Sequence, residues 1–123
     1  MILPKDYLMG RDKIYPLTTK QAQNMADLLA RVNHFLGALK LGCFISSGYR
    51  PGHFNKAAGG SARSGHLSCE AIDLIDHDGE IGKMLKNNVK LLEEYGLFLE
   101  NPEHTKTWVH LDTKQRVNRI FNP

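Results

Sequence analysis

Apolar residues at Ala22, Met25, Leu29, Val32, Leu36 and Leu39 recur at alternating steps of three and four, which lays one apolar stripe along a helical face. Thr18 opens this helix. Its hydroxyl caps a free backbone N–H while Gln21 reaches back from three residues on, the capping-box pattern, and Gly42 is the predicted stop after Leu41. A second helix is predicted from an Asp78 cap through Ile81, Leu85, Val89 or Leu92, and Tyr95, ending at Gly96. Strands are predicted over 43–47, 71–75, 97–99 and 108–111. In 71–75, Ile72 and Leu74 fall on one face and Ala71, Asp73 and Ile75 on the other.

Between these elements lie breakers. Pro4, Gly10 and Pro16 interrupt the first eighteen residues, which read as an ordered arm with little regular structure, anchored by Tyr7, Leu8, Met9, Ile14 and Tyr15. Gly48, Pro51, Gly52, Gly59 and Gly60 make a long polar loop of the kind that usually carries function. Residues 101–107, with Pro102, form a hairpin-like excursion, and the tail carries Lys114, Arg116 and Arg119 with Phe121 as an anchor.

A chain of 123 residues and 13.9 kDa has room for one domain, 1–123, and 41% hydrophobic against 24% charged residues excludes disorder. Sixteen Lys and Arg against thirteen Asp and Glu give +3, a mild basic bias that favours an anionic partner, cell-wall polymer as readily as DNA. Cys43 and Cys69 lack C-x-x-C spacing and read as two reduced thiols. No run reaches the length of a membrane span, and residues 1–20 lack the basic start and apolar run of a signal peptide. Synthesis in the cytoplasm is expected, so a substrate outside it would be reached through a phage holin, a virion or cell lysis.

His34, His53, His77 and His104 read as surface residues, but His66 and His110 do not. His110 shares a strand face with Trp108 and Asp112, and Asp73 is a carboxylate inside an apolar strand, costly unless a cation or donors meet it. His66, Asp73 and His110 make a three-ligand set for Zn²⁺ with the fourth position open for water, the arrangement of a hydrolase. Spacing alone is weak support, because H-x6-D recurs by chance.

The chain also carries S-G-Y-R-P over 47–51, then Asn55 and Gly59-Gly60, S-G-H-L-S-C-E-A-I-D-L over 64–74, and W-V-H-L-D over 108–112. In that order these resemble the motifs S-G-[YF]-R, S-x-H-x-x-G-x-A-x-D and W-x-H of the zinc peptidase family of D-alanyl-D-alanine carboxypeptidases and phage L-alanyl-D-glutamate endolysins. The arm 7–12 also looks like the start of small phage-borne members. The resemblance implies an α+β fold of the hedgehog/DD-peptidase type, a small antiparallel sheet with two main helices. It further implies zinc held by His66, Asp73 and His110, and peptidoglycan stem peptide as substrate for a protein expected to be a monomer acting at the wall after release. Arg50 sits where the family holds substrate or oxyanion, and Ser64 matches a serine that either supports the site or merely turns the chain.

Two positions depart from the family pattern. Many members carry a carboxylate three residues before the last histidine ligand, and here that residue is Thr107. Glu100 resembles the glutamate that small phage-type members place before the W-V-H strand and is the first candidate for general base. Asp112 is the second, with orientation of His110 as its other role, and His104 and Glu103 follow. Cys69 stands at the family's glycine, which points to a backbone conformation that a side chain resists; it reads as a small buried residue rather than as a ligand or nucleophile. The alternative to an enzyme is a non-catalytic zinc-fold module for wall binding or virion structure. A nucleic-acid binder built on Arg50, Arg63, Lys114, Arg116 and Arg119 is disfavoured, since these form no helical stripe and show no aromatic interleaving.

Overall fold

In the computed structural model, which describes residues 1–57 and 63–123, strand β2 (Ala71–Ile75) pairs antiparallel with β1 (Ile45–Ser47) and with β4 (Trp108–Asp112). β4 pairs antiparallel with β3 (Phe98–Glu100), and β5 (Ile120–Phe121) adds to the outer side of β3. The order is β1-β2-β4-β3-β5 in an α+β fold. The antiparallel expectation is corrected at the last strand, because β5 runs parallel to β3 and makes the sheet mixed. Its source is the tail, where Phe121 serves as the predicted anchor and is buried.

Strand register separates core from chemistry. Ile72 stands opposite Leu111, Leu74 opposite Val109 and Leu99 opposite Leu111, so these share one face. With Leu28, Val32, Phe35, Leu85 and Leu92 from the helices they form one hydrophobic cluster. Each such side chain, fully buried, contributes roughly 1.5–3 kcal/mol. The residues between them point the other way. Ser47 pairs with Asp73, Asp73 with His110, and Glu100 with Phe121. One step beyond the Leu99–Leu111 pair sets Glu100 across from His110, so a row of these residues crosses the whole sheet.

Helix α2 (Thr19–Ala38) opens with the predicted box: Thr18 Oγ1 accepts from Gln21 N–H (3.1 Å) and Gln21 Oε1 from Thr18 N–H (2.9 Å). It stops before Gly42. Lys40 takes the left-handed conformation (φ 55°), and Leu41 N–H returns to the Leu36 carbonyl at 2.9 Å. The buried stripe is Leu28, Leu29, Val32, Phe35 and Leu36, whereas Ala22 is exposed.

The arm holds more regular structure than its breakers suggest. Pro4 presets the first turn of α1 (Pro4–Leu8), and Asp6 accepts from Leu3 N–H at 2.9 Å. Tyr7 is fully buried, and the Asn33 amide brackets the Ile2 backbone through both of its polar atoms. Similarly, α3 (Gly52–Ala57) occupies part of the predicted loop, while Gly59 and Gly60 lie outside the described residues.

The second predicted helix is two, α4 (Glu80–Lys86) and α5 (Val89–Glu94), broken at Asn87–Asn88. Asp76, rather than Asp78, holds its start: the buried carboxylate accepts from Ile81 N–H (3.1 Å) and Gly82 N–H (2.8 Å), and Asp78 receives only Glu80 N–H (3.1 Å). Among the described residues no helix is long and apolar enough to cross a membrane.

Candidate metal centre

Asp73 and His110 reach the site from strands, but His66 reaches it from the turn before β2. That turn is fastened from several sides. His66 N–H donates to Ser64 Oγ (3.2 Å), its carbonyl accepts from Arg50 N–H (3.1 Å), and Glu70 N–H closes on the Gly65 carbonyl at 2.8 Å. From α2, Gln21 Nε2 donates to the Leu67 carbonyl (2.8 Å) and Asn24 Nδ2 to the Ser68 carbonyl (3.0 Å). Cys69 adopts φ 61° in this turn and is fully buried, which explains a glycine preference there on conformational grounds. Burial pushes its thiol up to about 12, against an opposing hydrogen bond with Tyr7, so it is no nucleophile at neutral pH.

The S-G-Y-R motif supplies the other wall. A Cβ on Gly48 would run into the Tyr7 carbonyl and ring, so only glycine lets α1 lie here. The Gly48 carbonyl accepts from His66 Nδ1–H at 2.8 Å. A carbonyl only accepts, which places the proton on Nδ1 and leaves the lone pair on Nε2. Tyr49 is buried, and Arg50 sends its guanidinium into the cleft, with Nη2 4.0 Å from Asp73 Oδ2.

One donor atom from each of His66, Asp73 and His110 lies within 4.8 Å of the others. His110 Nδ1 meets Asp73 Oδ1 at 2.8 Å, and His66 Nε2 lies 3.3 Å from Asp73 Oδ2. His66 is 1% exposed, and its Nε2 has no hydrogen-bond partner among the described residues. A buried nitrogen lone pair aimed at a carboxylate is repulsive unless a cation stands between them. Two imidazoles and a carboxylate also match the donor chemistry of zinc, so these residues fit the ion.

The charges are strongly coupled. Burial pushes the Asp73 carboxyl up, but the hydrogen bond from His110 Nδ1 and the charge of that imidazole outweigh it and hold Asp73 below the usual carboxylate range. Burial lowers His110, and hydrogen bonds to Asp112 and then Asp73 reverse this, raising the imidazole to about 9. Asp112 is fully buried, meets His110 Nε2 at 2.9 Å and is gripped by Arg116.

A cleft of about 770 Å³ opens over this face, lined by Arg50, Asp73, Glu100, Trp108, His110 and Phe121 among others. Four of the five cations that show no pattern in the sequence, Arg50, Arg63, Lys114 and Arg116, line it together; the fifth, Arg119, lies over the Phe98 ring. Glu100 also lines the cleft, whereas Glu103 and His104 are exposed on the 101–107 excursion and do not. Thr107 is exposed and lends its carbonyl to Asp76 N–H. His34, His53 and His77 are exposed, as expected. Sequence reasoning named Tyr7 as an anchor of the arm and Gln21 as half of the capping box but gave neither a part in seating His66, and it missed Asn24 and Asp76.

Comparison with curated proteins and with solved structures gives no match. Residues 8–112 match the model of Peptidase M15, a span that begins at the last residue of α1 and ends on Asp112, whose carboxylate meets the His110 imidazole. All three metal-ligand candidates and the carbonyl and carboxylate that orient them thus fall within one family's pattern, and the chain belongs to the Peptidase M15 family of zinc peptidases.

Proposed function

We propose that the chain hydrolyses a peptide bond in the stem peptides of bacterial peptidoglycan, as an endolysin or DD-carboxypeptidase type of zinc metallopeptidase acting at the wall after release. The observation that carries this reading is the meeting of His66, Asp73 and His110 in one cleft with Glu100 beside them. His66 Nε2, Asp73 and His110 Nδ1 would hold zinc, whose Lewis acidity activates a water and polarises a carbonyl. Glu100, whose carboxylate has no hydrogen bond or ion pair among the described residues, takes the attacking water's proton and passes it to the leaving amine. Arg50 offers its guanidinium fork to a substrate carboxylate or to the developing oxyanion. Asp112 orients His110 from behind. The cations along the cleft suit an acidic peptide, and stem peptides carry free carboxylates.

The test is incubation of zinc-loaded protein with purified peptidoglycan, with and without a chelator, reading released amines. Chelator-sensitive release of amines is expected. Bound zinc without any release would transfer the protein to the non-catalytic alternative, a wall-binding or virion module.

A further inference from the structure

We infer that Arg116, which lies beyond the matched span 8–112, is a positioning residue for the metal centre, holding Asp112 so that Asp112 holds His110. This rests on the metal-site reading. Arg116 Nη2 donates to Asp112 Oδ2 at 2.7 Å and Nε to Oδ1 at 3.2 Å, a two-point grip that fixes the plane of the carboxylate. The same Oδ2 receives His110 Nε2 at 2.9 Å. A carboxylate locked in this way accepts from Nε2–H, so the other ring nitrogen, Nδ1, is the one presented to Asp73 and the ion.

Arg116 is itself held. Its guanidinium carbon lies 3.6 Å from the centre of the Phe121 ring, and that ring stands edge-on to His110 with centroids 6.0 Å apart. Phe121 belongs to β5, so the parallel edge strand closes a circuit from Phe121 through Arg116 and Asp112 to His110 and back. Asp112 is fully buried, and without Arg116 its charge would have His110 as its remaining side-chain partner among the described residues.

The experiment measures zinc affinity by chelator competition, and the visible spectrum of the cobalt-substituted protein, for wild type, Arg116→Lys, Arg116→Gln, Asp112→Asn and the Asp112→Asn/Arg116→Gln double variant. Arg116→Gln is expected to weaken zinc binding about tenfold or more and to alter the cobalt band. Arg116→Lys, which keeps the charge but not the fork, should fall between the two. The double variant should bind no worse than Asp112→Asn, because both act through one imidazole. Affinity within about twofold of wild type in Arg116→Gln, or additive losses in the double variant, would overturn the inference. If Arg116→Gln is unfolded by thermal melting, Arg116→Lys decides in the same way. A wild-type protein that takes up no zinc overturns the metal reading itself, so the two failures are told apart.

Discussion

Asp73 and His110 are cross-strand partners in the β2–β4 ladder, and their side chains meet at 2.8 Å on the face turned away from the core. Because neighbouring positions on both strands feed the apolar cluster, the pairing that packs Ile72 against Leu111 also fixes the separation of two metal-ligand candidates.

Each ligand candidate should be required for the ion. His66→Ala, Asp73→Ala and His110→Ala are expected to abolish stoichiometric zinc in the purified protein, as read by elemental analysis, while circular dichroism still reports the wild-type fold. Retention of one zinc per chain in all three variants would remove the site.

Glu100 lies across the sheet from His110 and lines the same cleft but is not one of the three ligand candidates, so its removal should spare the ion. Glu100→Gln is expected to keep zinc and lose about 10²–10⁴-fold in kcat on peptidoglycan. Undiminished turnover would remove Glu100 from the proton-transfer role.

Gly48 is a contact point rather than a flexible one. Gly48→Ala forces Tyr7 away, and since the Gly48 carbonyl holds His66, both the melting temperature and zinc affinity should fall together. A variant that melts like wild type and binds zinc as tightly would show that α1 has no part in seating His66.

The left-handed turn at Cys69 gives an unusual ordering of variants. Cys69→Ala and Cys69→Gly both lose the thiol, but only glycine is at ease at φ 61°, so Cys69→Gly should be the more stable by about 1 kcal/mol in urea melts. The reverse order would contradict the turn.

Alkaline pH should destabilise the fold through the same residue. Burial raises the folded thiol from 9.0 to about 12, so its contribution is full below pH 9 and is lost as the pH climbs towards 12, where the unfolded thiol has already ionised. Urea melts between about pH 8 and 10.5 should show wild type losing stability more steeply than Cys69→Ala. Tyr7, also raised by burial, adds to the loss above its usual range in both proteins.

What could be read in advance was whatever a short period encodes. β2 is found at its predicted bounds because alternation around Asp73 has one interpretation, and the Thr18–Gln21 box is local by nature. The α4–α5 break was not legible, because the apolar stripe from Ile81 to Tyr95 continues across Asn87–Asn88 and only the caps reveal two helices. Asp76 was missed since its partners are backbone N–H groups five and six residues on, and a carboxylate at a strand end resembles any surface acid. The grouping of the cleft cations depends on tertiary folding alone: Arg50 and Arg116 are far apart along the chain, and no spacing rule brings them together.

Gln21 has a double allegiance: its oxygen belongs to the first turn of α2, and its amide nitrogen to the turn that carries His66. Fraying at that helix end would therefore loosen an imidazole on a distant loop, and a ligand that tightens the imidazole must in return suppress the fraying. Hydrogen exchange at the start of α2 thus becomes a remote gauge of whether the cleft is loaded.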